Sequence, residues 1–367
     1  MSKVLTLDAA LFGLLVFSGI LGNMLVIYVV FQSAFETPLG RLSPSDTILV
    51  HLSLANLLTS LFRTVPIFVS DLGFDVSLSP GWCRVFMLLW MWWRAVGCWV
   101  TLTLSMFHCT TLKRHHVSFG PLVLQKERRR VWIVLGLVWG ANLAFSVPAL
   151  VYSTHVHSNA TVDLMVISST TRPLLGCIWE FPSIQQGSAF AFTSLALNEV
   201  FPLVLMICTN VSTLHALAKH IRAVTASMES GGSHGELNKH ASTERKAAHV
   251  IMSLVALFVV CWVLQVAAVT YYNHNRGLHA EGLLTVAHFS ASTFVGFSPM
   301  VVALGHSKLR KRIMSMILVW TKAFHCSSKD TGNRVKSPKK KLKVFDVQQE
   351  MKVINVKECK TLNDRGE

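Results

Sequence analysis

Residues 131–152 read VWIVLGLVWGANLAFSVPALVY, an apolar run free of Lys, Arg, Asp and Glu. Its length matches the roughly 20 residues a helix needs to cross the hydrocarbon core of a bilayer. The same reading extends outward along the chain, to residues 11–31, 247–272 and 282–304, which are equally free of those four residue types. Three further stretches, 46–70, 85–112 and 187–215, are as long but carry one charge each in their interior: Arg63, Arg94 and Glu199. An ionisable side chain at membrane depth costs several kcal/mol unless it faces a cavity or a partner. These three are therefore the first candidates for function.

Composition points the same way. Hydrophobic residues make up 51% of the chain against 14% charged, and the mean hydropathy of +0.47 excludes a water-soluble fold. Strands of a membrane barrel would be about half as long and would alternate in polarity, so the spans are helices. The fold class is an all-α membrane protein, a seven-transmembrane helix bundle over residues 11–304. Residues 1–10 are too short for a basic region plus a cleavage site, and are expected to form an extracellular amino terminus with the first span acting as a signal anchor.

Short loops rich in Lys and Arg stay cytoplasmic. With the amino terminus outside, the outer segments hold Lys3, Arg172 and Arg276. The inner ones hold Arg41, then Lys113, Arg114, Lys126, Arg128, Arg129 and Arg130, then Lys219, Arg222, Lys239, Arg245 and Lys246. This bias predicts a multi-pass plasma-membrane protein whose carboxyl terminus is cytoplasmic. After span seven, Leu309, Ile313, Met316, Ile317 and Trp320 recur at helical spacing beside Lys308, Arg310, Lys311 and Arg312. Residues 305–326 are thus expected to lie on the membrane as an amphipathic helix, with membrane lipids as partners. Residues 327–367, rich in Lys, Ser, Asp and Asn, are expected to be a disordered basic tail. Topology accounts for the net charge of +15, so no nucleic acid is needed. No internal repeat, phosphate-binding loop, CxxC pair or metal-ligand spacing is present, so no cofactor or metal is expected.

Of the eight cysteines, Cys98, Cys109, Cys208 and Cys261 fall inside spans, where they read as small packing residues, and Cys326 and Cys359 fall on the cytoplasmic side. Cys326, just past the amphipathic segment, is a candidate for palmitoylation. Cys83 and Cys177 remain at the oxidising outer face, where a disulfide would tether the second outer loop over the bundle mouth. Asn159-Ala-Thr161 in that loop is an N-glycosylation acceptor.

Residue-level signposts accompany the seven spans: Gly22-Asn23, Leu54-Ala55-Asn56-Leu57, Trp139, Phe201-Pro202, Phe258 with Cys261-Trp262, and Ser298-Pro299. Together they resemble the rhodopsin-like G-protein-coupled receptors, and the resemblance covers the chain to about residue 324. Four departures are plain. Asn56 stands where that class carries an acid, and Phe107-His108-Cys109 replaces its acidic-Arg-Tyr triplet. Leu264 replaces a proline, and Ser298-Pro-Met-Val-Val302 replaces Asn-Pro-x-x-Tyr. The blocks HLSLANLL (51–58), RAVG (94–97) and LSMFHC (104–109) resemble the vomeronasal type 1 receptors and their teleost relatives, with Cys261-Trp262 favouring the teleost branch.

That resemblance implies a chemosensory, pheromone- or odorant-type receptor that activates a heterotrimeric G protein, of Gi/Go type, when a small organic ligand enters the outer half of the bundle. Asn23, Asn56, His108, Pro202, Trp262 and Pro299 are the structural and switch positions it implies. His108 titrates near neutral pH in its free form and is a candidate pH-sensitive element of the resting state.

Arg94 lies eleven residues inside Cys83, about 16 Å along a helix axis. A guanidinium at that depth either pairs with Glu199 or awaits an anionic group on a ligand. On the Arg94 face, Met87, Trp90 and Met91 are expected to touch ligand, with Asn198 in span five and His288 in span seven as further candidates. Residues 282–304 contain no Lys, which excludes a retinal Schiff base in span seven. Residues 86–97 contain no Asp or Glu, which removes the usual counter-ion for an amine. An anionic or neutral ligand is left. No repeat supports a transporter and no paired catalytic groups support an enzyme. The alternative is a rhodopsin-like receptor for a peptide or lipid outside chemosensation.

Overall fold

Proline, small residues and long apolar runs set the helix boundaries of this chain. The computed structural model describes residues 7–35, 42–74, 76, 78–113, 121–155, 174–229, 235–274, 280–305, 310 and 315. Span one is α1, Leu7–Phe35. Span two comprises α2 (Pro44–Thr59), a π-helical turn (Ser60–Thr64) and α3 (Val65–Asp71). Span three is α4, Pro80–Lys113, and span four is α5 (Pro121–Ser146) continued by α6 (Pro148–Tyr152). Strands β1 (Ser153–His155) and β2 (Cys177–Trp179) follow. Span five comprises α7 (Ile184–Leu195), a second π turn (Ala196–Val200) and α8 (Phe201–Glu229). Spans six and seven are α9 (Gly235–His274) and α10 (Ala280–Gly305). Six of these spans are long and apolar enough to cross a membrane, and α9 contributes the shorter apolar stretch Met252–Ala268.

The end carrying the amino terminus and the β-hairpin is called outer here. Arg84, exposed on the first turn of α4, joins Lys3, Arg172 and Arg276 as a fourth cation of the outer segments. The amphipathic segment 305–326 and the tail 327–367 lie outside the described residues apart from Gly305, Arg310 and Ser315, as do Asn159 and the side chain of His288. All described elements but Ser315 belong to the unit Met1–Met314.

Leu14 is 68% exposed and Leu21 65%, so large apolar side chains stud the outside of the bundle, as a hydrocarbon surround allows. In that surround, helix association rests on close packing and on interhelical hydrogen bonds rather than on release of water. The core column is built from Val26, Ile48, Leu52, Val96, Leu135 and Leu254, all fully buried. Helix α4 is its axis, touching α2, α5, α8 and α9.

Glycine brings α1 and α10 together. A Cβ on Gly22 would stand 2.8 Å from Pro299 Cβ, so only the missing side chain admits the proline ring. Beside it, Asn23 Nδ2 donates to Gly19 O (2.7 Å) and to Val295 O (3.2 Å). Asn56 Nδ2 donates to Ser298 Oγ at 3.1 Å. Two amides thus fix span seven around Ser298-Pro299.

Both π turns precede a proline. Pro66 and Pro202 lack the N–H that an α-helix would aim at the carbonyl four residues earlier. Just upstream, Val65 N–H reaches Ser60 O and Phe201 N–H reaches Ala196 O, five residues back, so each turn widens. Arg63 and Glu199 each stand three residues before their proline. The two span charges other than Arg94 therefore occupy equivalent places in two widened turns.

Candidate functional site

At the outer end, β1 pairs antiparallel with β2, aligning His155 with Cys177. Cys177 is bonded to Cys83 with Cα atoms 5.4 Å apart, which anchors the hairpin to the first turn of α4. Leu175 and Gly176 turn the chain with positive φ (51° and 77°), and a Cβ on Gly176 would meet His155 Cε1 at 2.8 Å. Tyr152, Trp179, Phe181 and Phe190 stack behind the hairpin, with ring centroids 4.8–5.7 Å apart. The described ends of the second outer loop, 153–155 and 174–179, are thereby held between α4 and the aromatic stack.

Beneath it lies a cavity of about 60 Å³ bounded by spans two, three, five, six and seven. Span three supplies Trp90, Trp93, Arg94, Gly97 and Cys98, a stripe at helical spacing. Span five supplies Asn198 and Glu199 from its π turn, and span six supplies Phe258, Cys261, Trp262 and Gln265. Asn56 and Thr59 close it on the span-two side, and Ser290 and Phe294 on the span-seven side. Phe258 and Phe294 meet edge to face at 5.0 Å.

Arg94 is the polar centre. Its Nη2 donates to Gln265 Oε1 at 3.1 Å and lies 3.9 Å from Glu199 Oε1. The Arg94 side chain is 17% exposed and that of Glu199 2%. One cation thus bridges spans three, five and six. Asn198 Nδ2, Gln265 Nε2, Trp262 Nε1 and Trp90 Nε1 are buried donors without an acceptor among the described residues. In a region of low dielectric such donors favour a polar guest.

Of the residues singled out from the sequence, Arg94, Trp90, Asn198 and Glu199 come together around this cavity. Met87 and Met91 are fully buried but are not among its lining residues. Met87 packs with Cys83, Cys177 and Ala149 under the disulfide, about two turns above Arg94. Met91, three residues before Arg94 and so about 60° round the helix from it, falls just past the edge of the lining stripe. Trp93 takes a place in the lining instead and packs against Phe62 at 4.8 Å. Gln265 carries no charge to mark it in the sequence; its only signal there is its place one turn outside Trp262, on the same face of span six.

Arg63, 2% exposed, stands behind the cavity with its guanidinium carbon 4.4 Å from the Trp90 ring centroid, while that of Arg94 is 5.4 Å away. Toward the inner end, Ser105 Oγ and Thr209 Oγ1 are 2.8 Å apart, and Ser105 donates to Asn210 Oδ1 at 3.3 Å. His108 Nε2 and Ser45 Oγ are 3.3 Å apart. These contacts join span three to spans five and two where the Phe107-His108-Cys109 triplet offers no arginine.

The profile of the family described as 7 transmembrane receptor (rhodopsin family) matches residues 22–301. The chain is 74% identical, over 86% of its length and 91% of the relative's, to Olfactory receptor class A-like protein 4 of Danio rerio. It is 26% identical to Olfactory receptor class A-like protein 1 of Danio rerio, covering 81% of this chain and 88% of that one. With Tachykinin-like peptides receptor 86C of Drosophila melanogaster the identity is 23%, over 74% of this chain and 50% of that one. A buried cavity inside a disulfide-capped helical bundle, together with these matches, assigns the molecule to receptors rather than enzymes: it belongs to the rhodopsin family of seven-transmembrane G-protein-coupled receptors, and is similar to the olfactory receptor class A-like proteins.

Proposed function

We propose that this receptor is chemosensory, of pheromone or odorant type and related to the vomeronasal type 1 receptors, and that it binds a small organic ligand through an anionic group. The observation that carries the reading is the placement of Arg94, partly exposed in the cavity and bonded to a neutral amide, with Glu199 farther off at 3.9 Å. A carboxylate or sulfate can replace the Gln265 oxygen with a charge-assisted, two-pronged contact. Pockets for drug-sized ligands measure roughly 300–1,000 Å³, so a cavity of about 60 Å³ widens on binding in this reading. Releasing Gln265 from Arg94 loosens span six against span three, and Trp262 and Phe258 lie one and two turns below that release. Ligand binding then shifts a population between two packings of the bundle, with no covalent step.

In this reading Asn198 and Glu199 orient polar groups of the ligand, and Trp90 and Trp93 form its aromatic wall. The inward signal leaves through residues 113–130, the third inner loop and the basic segment after span seven, to a Gi/Go-type protein. The amino terminus is extracellular, the tail cytoplasmic, and Asn159 glycosylated. The loop charges and the Cys83–Cys177 bond, which forms in oxidising compartments, support that orientation.

The test is a panel of small organic acids, their amides and short peptides applied to cells expressing the chain, read by cytosolic cyclic nucleotide with and without blockade of Gi/Go. Responses to acids that vanish on amidation support the reading. A response confined to peptides or to amines sinks it.

A further inference from the structure

A groove of about 410 Å³ opens between α9 and α10 on the outside of the bundle. Leu257, Val260 and Leu264 form its span-six wall, and Val286, Phe289 and Thr293 its span-seven wall. Val260 is 56% exposed and Leu264 49%, so the groove faces the surrounding hydrocarbon. Its lining shares two residues with the Arg94 cavity, Cys261 and Ser290. Both are small and buried, so one thiol and one hydroxyl stand between a polar chamber of about 60 Å³ and an apolar groove several times larger. On the polar side, the Gln265 and Trp262 donors lack an acceptor among the described residues. On the apolar side, Asp8, exposed on the first turn of α1, is the charged residue of the described lining.

An acid lying across these two chambers has one favoured orientation. Its head goes to Arg94, because Asp8 repels a carboxylate from the groove, and its hydrocarbon body goes to the apolar walls. We propose that the ligand is an elongated amphiphilic acid whose apolar body passes between Cys261 and Ser290 into the groove between spans six and seven. The proposal rests on the anion-anchor reading of Arg94 and adds the other half of the ligand. Parting Cys261 from Ser290 joins the two volumes, which together reach the roughly 300–1,000 Å³ usual for organic ligands. A bilayer acyl chain could fill the groove, but it brings nothing to Arg94 or to the buried donors beside it.

The experiment uses the full chain in phosphatidylcholine nanodiscs and straight-chain carboxylic acids carrying a photoreactive group at the methyl end. A long-chain probe is expected to label residues 257–264 and 285–293, and excess unlabelled acid to compete it away. Arg94→Ala, which removes the anchor of the head, should cut that labelling about tenfold. In cells expressing the chain, each methylene added to the acid should raise potency about fourfold. Val260→Trp or Val286→Trp fills the groove at a residue that does not line the Arg94 cavity, and should hold potency level along the series. Val263→Trp, exposed but outside the groove lining, should leave the rise intact. Labelling that survives both Arg94→Ala and excess acid means bilayer hydrocarbon in the groove and overturns the proposal. Should Arg94→Ala fail to fold, the two groove-filling variants decide. A short acid that signals through Arg94, while long acids gain nothing and label spans three and five alone, leaves the anion anchor standing and removes the groove. Absence of binding by acids of every length removes both.

Discussion

The guanidinium of Arg63 lies over the ring of Trp90, 4.4 Å from its centroid, at a site where both residues are 2% exposed. With Arg94 also near that ring, one indole serves two cations. The negative face of the ring offsets part of the cost of keeping charge away from water, by about 2 kcal/mol in a desolvated site. Trp90→Leu should therefore lower surface expression or ligand potency, the latter by roughly thirtyfold, while Trp90→Phe keeps most of both. Flow cytometry and dose–response curves test this, and a Leu variant that behaves as wild type disproves it.

Arg94→Ala should weaken ligand response roughly ten- to a hundredfold, the loss expected for a charge-assisted hydrogen bond in a dry cavity. Arg94→Lys should recover only part, because a point charge cannot reproduce a two-pronged contact. Gln265→Leu should raise basal signalling, since it removes the 3.1 Å tie between spans three and six. If Arg94→Ala and Glu199→Gln each block surface folding and the double variant restores it, the pair is structural and the anchor role is lost.

The inner end of span three is held by neutral hydrogen bonds in place of an ionic contact. Each is worth about 0.5–1.5 kcal/mol, so Ser105→Ala, which removes the bonds to Thr209 and Asn210, should raise basal G-protein activation several-fold. His108→Ala removes one longer contact, to Ser45, and should do less. Equal basal activity in wild type and Ser105→Ala removes this account of the resting state.

Cys83→Ser and Cys177→Ser should share one trafficking defect, and the double variant should be no worse, because either change frees the hairpin from α4. A single variant that reaches the surface and responds normally while its counterpart does not would separate the two cysteines.

Gly22→Val places carbon where Pro299 already stands, with even the first added atom 2.8 Å from the ring. Overpacking of this kind costs about 1–3 kcal/mol, enough to lower the apparent melting temperature of the detergent-solubilised receptor by several degrees. Gly136→Val, whose Cβ meets nothing within 4 Å, is the matched control. Equal melting temperatures for the two would refute the contact.

Much of this molecule was legible beforehand because membrane spans are written in long, one-dimensional hydropathy, and the Arg94 depth follows from helix rise alone. The neighbours of Arg94 were less legible. A helical wheel places Met87 on the correct stripe but cannot say that a disulfide and hairpin cover it, and it cannot rank Trp93 above Met91. Gln265 comes from a span without charge, so the cost of burying an ion, which marks Arg94 and Glu199, does not mark it. The π turns were hidden because prolines within a span announce a break in hydrogen bonding but not whether the helix kinks, stops or widens.

A π turn is a helix carrying one residue more than its pitch needs, and that surplus offsets the faces on either side by about 100°. Spans two and five each contain such an offset at the depth of the cavity. Their outer segments are thus indexed independently of their inner ones. Trimming or adding a residue outside Glu199 would redirect Asn198 and the outer face of span five while leaving its inner half, and the Asn56 and Thr59 side chains of span two, in register, so the inner machinery can be kept while the outer end is rewritten.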